Sequence, residues 1–234
     1  DDIAGWQAQI HLGRYKNSHW LYSVTRDVPQ TRDTAVLPQS VYFDGFRDVA
    51  LGSNGIQTRF SKYTDNHVWE VNWSYGRSTI NEEQRDYLLG SLALGKIKQD
   101  FVHQFSVFWQ PASMNWKLGA SWLDSDFEYI PLEQDNRFAG MSNIRRFMIS
   151  MQYFSENWEL SSELLREIQD FNGVFTPDYY DKRTGEGGWH GSKCVSGWCR
   201  SLRPPATTQA NSPCLQSCPA ELCMIGRVQR WRAL

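Results

Sequence analysis

From Gly55 to Gly76 the side chains switch character at every step, and that alternation restricts the fold more than any other feature of the chain. Ile56, Thr58 and Phe60 alternate with Gln57, Arg59 and Ser61. After Thr64-Asp65-Asn66, Trp69, Val71, Trp73 and Tyr75 alternate with Glu70, Asn72 and Ser74. Successive residues of a strand point to opposite faces, so this period of two means strands with one apolar and one polar face. The short Asp/Asn connection makes the pair a hairpin. Two arrangements use such a hairpin. In a water-soluble sheet the aromatic face packs a core, whereas in a membrane barrel it meets lipid and the polar face lines a watery interior.

The pattern recurs along the chain. Gly5–Tyr15 sets Trp6, Ala8, Ile10 and Leu12 against Gln7, Gln9 and His11, and a short link at 16–19 leads to an expected strand over Trp20–Arg26. After the hairpin come Phe101–Trp109, then Asn115–Asp124 with Trp116, Leu118, Ala120 and Trp122 on one side. Phe147, Ile149, Met151 and Tyr153 follow, then Trp158, Leu160, Ser162 and Leu164, and Gly188-Trp189 reads as the start of a ninth strand. Tyr87–Ile97 reads as a packed loop. The connections alternate short and long, so the short ones gather at one end of an up-and-down sheet and the long ones at the other. Barrels of the bacterial outer membrane follow that rule, while Greek-key sandwiches mix the two. The expectation is an all-β, antiparallel up-and-down transmembrane β-barrel, partial, with about eight to nine strands over residues 1–189.

Composition matters here only for what it excludes. No stretch approaches the ~18 apolar residues of a membrane-crossing helix, so a membrane role has to use strands. The mean hydropathy of -0.55 is compatible with that, because only alternate residues of a barrel face lipid. The opening Asp1-Asp2 lacks a basic start and an apolar run, and reads as a mature form, a fragment or a chain that stays inside. Residues 190–234 are of another style. They carry six basic side chains against Glu221 alone, and all five cysteines (Cys194, Cys199, Cys214, Cys218, Cys223). We read them as a Cys/Pro/Arg-rich tail, disordered or foreign to the barrel, of the kind a reading-frame slip or a fragment boundary produces. The cysteine spacings lack the paired C-x2-C of structural zinc sites, and five thiols leave one without a disulfide partner.

A family resemblance runs from Leu12 to Tyr63. Leu12-Gly13-Arg14, Lys16-Asn17, Thr25-Arg26-Asp27-Val28-Pro29, Leu37-Pro38-Gln39-Ser40-Val41-Tyr42-Phe43-Asp44, Arg47-Asp48 and Ser53-Asn54-Gly55 resemble outer-membrane porin-like proteins of Gram-negative bacteria. The likeness extends distantly to phosphate-selective porins. It implies a barrel in the outer membrane that passes small hydrophilic solutes or ions by diffusion, with outer-membrane lipid as partner and a homo-oligomer left open. The chain departs from the family in having fewer strands and in ending Arg232-Ala233-Leu234 rather than on an aromatic residue.

Strand parity places Gln9, His11, Arg59, Glu70, Lys117, Arg146, Glu159 and Glu163 on the interior wall, where charge sets ion preference. By resemblance the segment Asp27–Asn54 supplies a constriction, with Arg26, Asp27, Arg32, Asp33 and Arg47 as its charges. Trp69, Val71, Trp73, Tyr75, Trp116, Leu118, Trp122, Phe147 and Ile149 are expected to face lipid. No catalytic residue, metal or cofactor is expected: no nucleophile-elbow, phosphate-loop or zinc-protease motif is present, and His11, His19, His67 and His103 lack ligand spacing. Asp124, Asp126 and Glu128 alternate like a glycosidase wall, but read better as the hydrophilic end of a strand entering a loop. The acidic balance of residues 1–189 argues against nucleic acid. The alternative function is a secreted soluble β-sandwich that binds carbohydrate by stacking sugars on exposed tryptophans.

Overall fold

The computed structural model describes residues 2–3, 5–23, 41–42, 52–194, 223–224 and 228–233. Within them the alternating stretches form a single antiparallel sheet in chain order. A short β1 (Asp2–Ile3) precedes eight long strands: β2 (Trp6–Lys16), β3 (Gly52–Tyr63), β4 (His67–Arg77), β5 (Lys96–Pro111), β6 (Trp116–Ile130), β7 (Gly140–Phe154), β8 (Trp158–Gly173) and β9 (Tyr180–Cys194). Two short tail strands, β10 (Cys223–Met224) and β11 (Val228–Ala233), both pair with β9. Among the described residues β2 and β9 do not pair with each other, so the sheet is open. No second sheet stacks on it there, as the sandwich alternative would require. No described helix is long and apolar enough to cross a membrane.

Several expectations need correcting. Trp20–Ser23 is a turn, not a strand: Ser23 donates its backbone N–H to the Trp20 carbonyl at 3.1 Å, and its hydroxyl accepts the Trp20 N–H at 2.5 Å. Local bonds of this kind satisfy the backbone without a ladder. Among the described residues no strand falls between β2 and β3, and the other connections alternate short (64–66, 112–115, 155–157) with long (78–95, 131–139, 174–179). Tyr87–Ile97 is a packed loop only over residues 90–95, where Ala93 is buried against Tyr129 and Val174. Its first residues end α1 (Glu82–Leu89), capped where Gln84 N–H donates to the Asn81 side chain at 2.9 Å and Asn81 N–H donates back to Gln84 at 3.0 Å. β6 runs on through Ser125–Ile130, and β9 starts at Tyr180 and continues past Trp189 to Cys194.

Register aligns the two characters across the sheet. One row joins Ala8, Phe60, Val71, Val107, Ala120, Ile149 and Leu164 on strands β2 to β8. On the opposite face Gln57, Ser74, Gln104, Leu123, Arg146 and Glu167 form another row. Gly55 and Gly76 face each other on this polar side so closely that a Cβ on Gly55 would lie 2.2 Å from the Tyr75 carbonyl oxygen.

The sheet is strongly curled, and one contact proves it. Leu21, five residues beyond β2, donates its N–H to the Glu163 carboxylate on β8 at 2.8 Å. In a flat sheet β8 would lie six strand spacings of ~4.8 Å away, roughly 29 Å. Five residues reach no more than about 18 Å. The sheet has to bend its polar face inward to bring β8 to the end of β2.

Candidate functional site

Burial is inverted relative to a soluble sheet. Gln57, Asn72, Ser74, Gln104, Ser106, Ser121, Ser150, Gln152, Ser161, Glu163 and Glu167 are buried on the inward face. Ile10, Phe60, Trp69, Tyr75, Phe105, Trp116, Leu118, Phe147, Ile149 and Leu164 are exposed on the other. Trp73, Val71 and Trp122 share that outer face and are half-buried against their neighbours. The nine residues expected to face lipid therefore lie together on the apolar outer face.

The expected wall residues share the inward face. Gln9 pairs with Arg59, His11 with Gln57, Lys117 with Gln152 and Arg146 with Glu167, while Glu159 alternates in step with Glu163. Arg59 and Glu70 form an ion pair at 2.5 Å, and Asn72 donates to the other Glu70 oxygen at 2.9 Å. The Lys117 ammonium sits 5.0 Å from the Phe108 ring centroid. Arg146 donates its Nε to Glu167 at 2.6 Å, and Gln169 holds the second Glu167 oxygen. Arg26, Asp27, Arg32, Asp33 and Arg47, the expected constriction charges, lie outside the described residues.

The outer face changes character toward the long-connection end. Trp73 donates its indole N–H to His103 at 2.6 Å, so His103 carries its own proton on the other nitrogen, and Tyr75 stacks on Phe101. Beyond them Asn143 bridges Asp124 and Asp126 at 2.9 and 2.6 Å, and Arg145 pairs with Asp170 at 2.7 Å. Asp124, Asp126 and Glu128 thus lie on the outer face of β6, in its last stretch before the connection at 131–139. Arg145 and Arg146 have opposite fates, one outward and one inward.

What the sequence did not reveal is the segment that crosses the inward face. It starts at Asn17, which accepts from Ser53 of β3 at 3.2 Å, and reaches β7, β8 and β9 with its next turn: Trp20, Tyr22, Val41 and Tyr42 pack with Met148 and Trp189 in one buried cluster. Glu163 holds it there. Fully buried, this carboxylate accepts from Leu21 N–H at 2.8 Å, Ser150 at 3.1 Å, the Trp189 indole at 3.0 Å and the Tyr42 hydroxyl. Tyr22 adds contacts to Ser161 and Gln152, each at 3.1 Å. Burial, and then the Glu163 charge, push the Tyr42 hydroxyl well above its ordinary range. His19 is fully buried, its ring edge-on to Trp20, and neither ring nitrogen has a hydrogen-bond partner among the described residues. Burial, and then the Arg146 guanidinium, hold its imidazole well below the usual histidine range. Trp20 and Tyr22, two residues apart after a strand, were a visible signal of aromatic packing, but nothing local pointed to Glu163.

No family model, curated protein or solved structure matches this chain. Among the described residues no group of His, Cys, Asp or Glu has the arrangement of a metal site.

Proposed function

We propose that this chain is a porin-like outer-membrane protein of a Gram-negative bacterium, a partial barrel that passes small hydrophilic solutes or ions by passive diffusion. The observation that carries this reading is the inverted burial: amides, hydroxyls and charges inside, aromatic and aliphatic rows outside. Soluble monomers rarely expose a contiguous apolar patch larger than a few hundred Å². Exposing rows of Phe, Trp, Ile and Leu across seven strands in water forgoes about 25 cal/mol for every Å² left uncovered, a cost that lipid removes.

The outer apolar rows, Trp69 to Tyr75 on β4 and Trp116 to Trp122 on β6, span roughly 20 Å along the strand, somewhat short of the ~25 Å band of outer-membrane barrels. Aromatics mark both margins: Trp69, Trp109, Trp116 and Tyr153 near the short turns, Trp73, Tyr75, Phe101 and Trp122 toward the long connections. Such girdles suit the membrane–water interface, and the charges of Asp124 and Arg145 begin just past them. A spanning sheet leaves no edge in lipid, so the edge of β2, which among the described residues is covered only by the short β1, would pair with a further strand. Inside, the Arg59–Glu70 pair with Lys117 places fixed charge on the wall, and the segment held by Glu163 narrows the passage.

The test is the full chain refolded in detergent. Unheated and boiled samples should migrate differently on a gel, and the protein should give stepwise currents in a planar bilayer. Arg59→Glu should shift the ion preference toward cations. A chain that stays in solution without detergent and passes no current would overturn the channel.

A further inference from the structure

We propose that the segment Asn17–Ser23 is an acid-released latch across the inward face, with His19 as its trigger. The consequence for solute flow rests on the channel reading; the latch itself does not.

The argument starts from what surrounds the ring. His19 has no exposed surface, lies with its centroid 5.1 Å from that of Trp20, and finds no hydrogen-bond partner for either nitrogen among the described residues. A neutral imidazole leaves one N–H donor and one acceptor unpaired there but carries no charge. An imidazolium has two N–H donors and a full charge, and both would be buried without an acceptor. The charged groups facing the segment make matters worse. Arg146 on β7 stands over the Trp20 ring at 5.5 Å and repels a second cation. The carboxylates on β8 offer no relief, because Glu163 already accepts from Leu21, Ser150, Trp189 and Tyr42, and Glu167 is taken by Arg146 and Gln169. β9 presents Trp189, which carries no charge, and Tyr42, packed beside the segment, keeps its proton because burial and the Glu163 charge raise its pKa.

The sign follows from linkage. The docked state excludes the proton and the released state, with the ring in water, takes it up near the ordinary histidine pKa of about 6.5. Above that pH both states are neutral and docking is at full strength. Below it each pH unit weakens docking by up to about tenfold, until the depressed pKa of the docked ring is reached. Acid therefore lifts Trp20, Leu21 and Tyr22 off Glu163 and opens the space they fill.

Hydrogen exchange of the Leu21–Ser23 amides, corrected for intrinsic rates, tests this in the full chain refolded in detergent. Between pH 6.5 and 5.5 protection should fall by about fivefold in the wild type. It should stay flat in His19→Gln and in His19→Phe, which keeps a ring without nitrogens. Glu163→Gln should lower protection at every pH. Wild-type protection that holds down to pH 5, or acid sensitivity that survives in both His19 variants, overturns the latch. Bilayer recordings of the same samples separate the two readings. Rising conductance on acidification supports both. Acid-labile protection without current at any pH supports the latch and removes the channel, and steady current with steady protection does the reverse.

Discussion

Replacing Glu163 by leucine isolates the contact on which the inward segment depends. The substitution keeps side-chain bulk but removes both oxygens, leaving Leu21 N–H, the Trp189 indole N–H and the hydroxyls of Ser150 and Tyr42 without their acceptor. Hydroxyls rotate to other acceptors; the two N–H groups are fixed. Each buried donor left unsatisfied costs about 1–3 kcal/mol, or roughly 2–6 kcal/mol for the pair. Against this stand the relief of a buried carboxylate and the burial of leucine methyls, worth about 1.5–3 kcal/mol. The donors win because they stay in place: a buried charge is replaced without loss only when its partners change too. We expect a net loss of about 1–2 kcal/mol, read as a lower urea midpoint and as faster exchange of the Leu21 amide, with Glu163→Gln intermediate. A Leu variant that unfolds at the wild-type midpoint with Leu21 still protected would refute the assignment of Glu163 as the anchor.

Two further substitutions test the sheet. Ile149→Arg, at a position 51% exposed on the outer face, should cost about 2–4 kcal/mol in vesicles, where the arginine sits at mid-membrane. The same change at a water-exposed site costs within about 0.5 kcal/mol, and a value that small from urea titration of vesicle-bound protein would remove Ile149 from the lipid surface. Gly55→Ala forces β3 and β4 apart, because its Cβ would lie 2.2 Å from the Tyr75 carbonyl oxygen and 2.6 Å from Gly76 Cα. A drop in melting temperature of several degrees is expected, and an unchanged one would mean the strands are not paired in this register.

Much of the sheet was legible because its signal is local. Trp69, Val71, Trp73 and Tyr75 fall on one face for the same reason that any strand alternates, and the hairpin turn at 64–66 needs no information from elsewhere. The misreadings have physical causes too. β6 and β7 extend past Asp124 through Asp126, Asn143 and Arg145, residues that look like loop in isolation. Cross-strand bonds among Asn143 and the two aspartates, and between Arg145 and Asp170, satisfy these groups and let the ladder continue. The helix was signalled by Asn81 and Gln84 in capping-box spacing, a cue hidden by the leucines that follow. Trp20–Ser23 has strand-like composition, yet a turn closed by Ser23 and the pull of Trp189 and Met148 took precedence.

By itself the sequence determined which residues share a face and that short and long connections alternate, since period-two geometry depends only on neighbours along the chain. Tertiary structure alone decided that the polar face turns inward and that Leu21 meets Glu163 across 142 residues. No local preference encodes that meeting. It exists because a buried carboxylate gathers whatever donors a curled sheet and a folded-in segment can deliver to it.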